Sequence, residues 1–129
     1  MLDAHLKSVP KSLVRSDQAG DWSYGKGKLI ATVVEDRYSP ESELAVAIHE
    51  LVECFLCRKN GISDSQVVKH DDMFNDELAH GHHQEDCEPG DDPRAPYRLE
   101  HQAATHVERA VCLALGITWE EHCEQINRQ

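Results

Sequence analysis

The stretch opened by Ser39 and Pro40 and closed by Gly61 does most to limit the folds open to this chain. Ser39 can accept hydrogen bonds from the free amides at a helix start, and Pro40 suits the first helical position, where an N–H would have no partner. Glu41 and Glu43 favour the positive end of a helix, and Gly61 is a natural stop. The spacing therefore predicts one long helix to about Asn60. Leu44, Ala47, Ile48, Leu51, Phe55 and Leu56 recur at helical intervals and are expected to face the core.

Before that helix, residues 1–20 carry few signals and read as an extended N-terminal segment. Within it, residues 12–15 are a candidate short strand and residues 17–20 a turn. Residues 22–24, the turn Gly25-Lys26-Gly27 and residues 29–34 read as a hairpin, because Thr32, Val33 and Val34 are β-branched. After the helix, Ser63 and Gln66 have capping-box spacing, which predicts a short helix over 64–69 and a further helical turn around Met73 and Phe74. Residues 80–97, HGHHQEDCEPGDDPRAPY, lack apolar periodicity and read as a long acidic, histidine-rich loop. Such loops in small domains are usually functional or disordered.

A second strong helix is predicted from about Tyr97 to Leu115, with Ala103, Val107, Ala110, Val111 and Ala114 as its buried stripe and Gly116 as its stop. Thr118 and Glu121 cap a last short helix, whose Trp119 is placed to pack on the core. The expected fold class is α+β: a small N-terminal β-hairpin or sheet packed on two main helices, as one domain over residues 1–129.

Charge narrows the partners. Acidic residues outnumber basic ones by 24 to 13, a formal net charge of -11. Phosphate backbones and anionic lipid surfaces are repelled by such a chain, so nucleic acid and membranes are not expected partners. Divalent cations suit it. The five cysteines are odd in number, and no apolar run approaches membrane-spanning length. The expectation is a cytoplasmic protein with free thiols. Cys54 and Cys57 form a CxxC inside a helix, where packing is the expected role, since redox pairs usually open their helix.

Three groups carry candidate chemistry. His49-Glu50-Leu51-Val52-Glu53 puts His49 and Glu53 four residues apart, on one helix face. Imidazole nitrogen and carboxylate oxygen are good ligands for zinc and related ions. These residues lie opposite Leu51 and Phe55 and share their side with Val46 and Cys57, which a purely solvated face would not show. On the later helix, His101, Thr105, Glu108 and Cys112 fall on one line bordering apolar residues, so His101 and Glu108 should be partly buried and in need of partners. The third group is His80, His82 and His83 among loop carboxylates, with Asp71 and Asp72 as further oxygen donors. There is no GxSxG elbow and no phosphate-cradling glycine loop.

The order of hairpin, strand and helix bearing HELVE resembles the zincin-like metallopeptidase core. The resemblance covers residues 22–60 and 98–112. It implies His49 as the first zinc ligand, Glu50 as the general base and His101 as a downstream third ligand. Glu53 stands where that family has a second histidine, and its negative charge would make a bound water less acidic. The chain also resembles small uncharacterised phage and prophage proteins with HExxE and a later histidine segment. Glu50 and Glu53 further match the first half of the ExxE motif of MazG-like nucleotide pyrophosphatases, though no ExxD follows in residues 98–115.

The residues leave several readings open. One is a divalent-metal protein, as a peptidase-like zinc hydrolase with a peptide or protein substrate. The others are a metal-stabilised binding module without turnover and a metal-free interaction domain. The expected site is His49, Glu53 and His101 around one divalent ion, zinc first, with Glu50 as base. Donors on rigid elements should stand within about 5 Å of one another even without the ion.

Overall fold

The first long helix forms where its capping residues put it. In the computed structural model, which describes residues 1–14 and 18–127, α1 spans Pro40–Lys59. The Ser39 side chain accepts from the Ser42 amide, and the Asn60 amide closes the other end. Before α1, β2 (Gly20–Gly25) and β3 (Lys28–Val34) form an antiparallel hairpin. Its two-residue turn has Lys26 and Gly27 at positive φ, the conformation that matches the strands' own twist.

The N-terminal segment is a full member of the sheet. β1 (Ala4–Val9) pairs in parallel with β3, giving the order β1-β3-β2. The strand expected over residues 12–15 is not formed. Ser12 and Leu13 lie in a short 3-10 turn, Lys11–Leu13, and Arg15 is outside the described residues. Of the turn expected over 17–20, Asp17 also lies outside them, and Gly20 opens β2. One face of β3, with Leu29, Ala31 and Val33, is buried against α1.

Downstream, the two helical pieces expected around 64–79 are one helix, α2 (Asp64–Ala79), with the Ser63–Gln66 capping box in place. Helix α3 (Arg98–Leu115) ends at Gly116, and α4 (Trp119–Asn127) follows. The fold is thus α+β, with a three-stranded N-terminal sheet and four α-helices among the described residues. Among the described residues, no helix is long and apolar enough to cross a membrane.

The buried helix faces are the main departure from the sequence reading. Leu44 and Phe55 are exposed, and Ile48, Leu51 and Leu56 are only partly covered. Of the expected α1 stripe, Ala47 alone is buried; α1 instead buries Ser42, Ala45, Val46, His49, Glu53, Cys54 and Cys57. In α3, Val107, Ala110 and Ala114 are exposed and Ala103 and Val111 half-buried, while His101, Ala104, Glu108 and Cys112 are inside. The two helices meet through these polar lines. Asn60 bonds Glu100 at one end, and His49 faces Glu108 further along, so α1 and α3 run antiparallel.

Apolar packing continues at both ends of this polar seam. Cys54 and Cys57 join Trp22, Leu29, Val67, Ala95 and Tyr97 in one cluster; Val33, Val34, Tyr38, Val46 and Ala47 form another. Burial raises the Cys54 thiol to about 12 and lifts Cys57 as well, so both stay protonated and pack as small apolar groups.

Candidate metal centre

Glu53 is the hub of the seam between α1 and α3. Its Oε2 accepts from His49 Nε2 at 3.1 Å and from His101 Nδ1 at 2.8 Å. Its Oε1 accepts from the Trp22 indole N–H at 2.9 Å. The i,i+4 geometry of α1 supplies the first contact, the crossing of α3 the second, and strand β2 the third. The rings of His49 and His101 stand edge to face, with centroids 4.9 Å apart. One ligand atom from each of His49, Glu53 and His101 lies within 4.8 Å of the others, so the structure brings the three sequence candidates together.

These groups are inside. His49, Glu53 and His101 are 5–6% exposed. A charge so placed needs opposite charge around it. Burial alone would raise the Glu53 carboxyl; His101 and His49 outweigh it and hold it down at about 2. Burial alone would lower the His101 imidazole; the carboxylates of Asp91, Glu53 and Glu88 outweigh it and hold it up at about 12. His49 is raised against its burial by Glu108 and Glu53.

A second carboxylate extends the network. Glu108 Oε1 lies 2.8 Å from His49 Nδ1, out of hydrogen-bonding alignment with it, and Glu108 Oε2 lies 2.5 Å from His122 Nε2. The other nitrogen of His122 reaches the Ser42 hydroxyl at 2.9 Å. His122, wholly buried on α4, escaped the sequence reading, which expected Trp119 to be that helix's anchor. Its one sequence signal is its place between Trp119 and Ile126, on the inward line of α4. Trp22 as a donor to Glu53 carries no such signal.

Glu50 lies beside these residues on a cleft of about 760 Å³, walled by the start of β2, by α1, α2 and α3, and by residues 85–90. It is half-buried. Burial and the neighbouring Glu53 charge raise its carboxyl well above the ordinary range. A carboxyl so placed titrates closer to neutrality, where general bases work best.

The other oxygen and nitrogen candidates have different duties. Asp71 is buried and accepts from the Tyr97 hydroxyl at 2.5 Å, and Asp72 is exposed. His80 and His82 are exposed, while His83 stacks on Phe74. Arg94 ties Glu77 of α2 to Asp92 of the loop, so that carboxylate pair is a strap. The acidic loop is therefore anchored. Its 3-10 turn Pro89–Asp91 lies against His101, with the Pro89 carbonyl accepting from His70 Nε2 at 3.0 Å.

Gly90 is what allows that approach. A β-carbon there would stand 2.4 Å from His101 Cγ. The Gly90→Ala variant must push the turn off the ring, at a cost of roughly 1–3 kcal/mol, as for other overpacked sites. Urea denaturation with chelator present should show that loss; an unchanged midpoint would mean the turn is not fixed on His101.

No protein-family model matches the chain, no curated protein matches it, and no solved structure does.

Proposed function

We propose that this chain is a divalent-metal protein, with zinc as first choice, in which His49, Glu53 and His101 hold the ion and Glu50 serves as general base for hydrolysis. One observation carries the reading: a buried set of two imidazoles and a carboxylate borders an open cleft. Stability does not account for such a set. Buried ion pairs are often matched or bettered by apolar residues of the same volume. Two nitrogens and one oxygen also suit zinc chemically.

A bound ion supplies a Lewis acid at the cleft wall. The chain's own residues supply the rest. Trp22 holds Glu53 from the β2 side, which fixes the carboxylate against both rings. Glu50 takes the proton of an attacking water at its carboxylate oxygen and returns it to the leaving group. An amide substrate follows from the zincin-like order of strand and helix, and the cleft is large enough for a short peptide segment.

The test is a pair of measurements on untagged protein. Elemental analysis after purification without chelator should give close to one equivalent of zinc or a related ion. Glu50→Gln should keep that ion and lower hydrolysis of a peptide library about 100-fold or more. Metal retained with no hydrolysis in the parent protein would leave a metal-stabilised module without turnover. That second reading is favoured by Glu53, a carboxylate held at Oε1 by Trp22, whose negative charge would weaken the ion as a Lewis acid. No metal in either protein defeats both readings.

A further inference from the structure

We propose that Glu88, Asp91 and the Nε2 atom of His101 form a second divalent-cation position at the mouth of the cleft, on the opposite side of the ring from Glu53. The inference goes beyond the proposed hydrolytic site: it shares the His101 ring with that site but takes its other nitrogen and two further carboxylates.

His101 is 6% exposed, yet its Nε2 has no hydrogen bond. Oxygens are not lacking there: Glu88 Oε2 is at 3.0 Å and Asp91 Oδ1 at 3.4 Å. Neither is aligned to accept from the ring nitrogen. Two carboxylate oxygens beside a buried ring nitrogen that neither bonds form a donor set open to a cation. One ligand atom from each of the three residues lies within 4.8 Å of the others.

The arrangement is also held in place. On the far side of the ring, Nδ1 donates to Glu53 at 2.8 Å. Anchoring the second nitrogen on a carboxylate is how proteins orient a histidine that binds metal through the first. Glu88 and Asp91 flank the short turn that His70 grips through the Pro89 carbonyl and that Gly90 lets rest on the ring. The two carboxylates are exposed at the surface while the nitrogen is buried, so an ion enters from solvent without opening the core. Two carboxylates and one imidazole favour a harder ion than the inner set does, of the manganese type.

The probe is Mn2+ itself, titrated into chelator-treated full-length protein and read from the paramagnetic resonance signal of the free ion. The parent protein should bind Mn2+. Glu88→Gln/Asp91→Asn, both exposed and with folding checked by circular dichroism, should weaken binding at least tenfold. Glu120→Gln/Glu121→Gln, the same charge change on α4, should alter it less than twofold. His49→Gln, which removes an inner ligand only, should alter it less than threefold. The proposal is overturned if the parent binds no Mn2+, if the α4 control weakens binding as much as the loop variant, or if His49→Gln does. Zinc content of the loop variant reads the inner position separately, so failure of one site is not mistaken for failure of the other.

Discussion

Glu53→Ala is expected to destabilise the metal-free protein by about 3–5 kcal/mol, the usual cost of stripping one partner from a buried ion pair. The change removes a single carboxylate, but three donors lose their acceptor: the Trp22 indole, His49 Nε2 and His101 Nδ1. Two of the three are held protonated by surrounding carboxylates, so the variant leaves positive charge buried with less to balance it. Small domains have only about 5–15 kcal/mol in total. One substitution can therefore take this chain close to unfolding, whereas exposed Glu120→Ala should stay within about 0.5 kcal/mol. Urea unfolding with chelator present measures both. A companion variant separates stability from function. His49→Leu/Glu53→Leu/His101→Leu removes the two rings together with their carboxylate and should recover part of the loss, because no imidazolium is then left without its partner and Glu108 keeps His122. A Glu53→Ala cost below about 1 kcal/mol would mean that the seam holds no charge.

The same seam explains which parts of the fold were legible in the sequence. Boundaries were, wherever local chemistry sets them: Ser39 and Pro40 open α1, Gly116 closes α3, and Gly27 turns the hairpin. Strand β1 was not, because its partner is distant in sequence and its pairing is parallel, Ala4 with Leu29 through Val9 with Val34. Nothing local in AHLKSV marks that pairing. The single helix α2 was read as two because no strong apolar stripe links its halves.

Helix orientation failed for a different reason. Apolar residues go nearly all the way round α1: Ala45, Val46, Cys54 and Cys57 lie on one side, and Leu44, Leu51 and Phe55 on the other. The larger side chains pointed to the wrong face. What decides the matter is the partner across the interface, since His49 and Glu53 can be buried only if α3 offers His101 and Glu108. Sequence spacing could place those four residues on two lines. It could not say that the lines meet. The meeting of His49, Glu53 and His101 was nevertheless expected, because the polar residues bordering apolar arcs needed partners. His122 shows the limit: its role depends on α4 folding back, and only the tertiary contact to Glu108 reveals it.

The pH dependence of stability should carry the network's signature, with opposite trends for metal-free and metal-loaded protein. In the metal-free chain Glu53 is held at about 2, below its ordinary 4.5, and Glu108 is lowered too. A depressed carboxyl stabilises the fold above its unfolded value and loses that contribution as pH falls toward the folded one. His101 is held at about 12, above its ordinary 6.5, and His49 is raised as well. A raised imidazole contributes fully below 6.5 and progressively less as pH climbs toward its folded value. Glu50, raised by burial, likewise contributes most below 4.5. The metal-free optimum should therefore fall between pH 4.5 and 6.5, with a decline toward pH 8. The formal charge of -11 adds a surface term of the same sign, which salt screens far more than the buried term. Melting curves in about 0.5 M salt isolate the latter. Zinc reverses the alkaline trend, because an ion must displace the ring protons and competes better as they become scarce. At about 100-fold excess over its dissociation constant, zinc adds roughly 2.7 kcal/mol, or about 10 °C in Tm for a domain this size. The gap between zinc-loaded and chelator-treated melting points should be small at pH 5 and widest near pH 8. A gap that stays constant across that range would remove His49 and His101 from the ligand set.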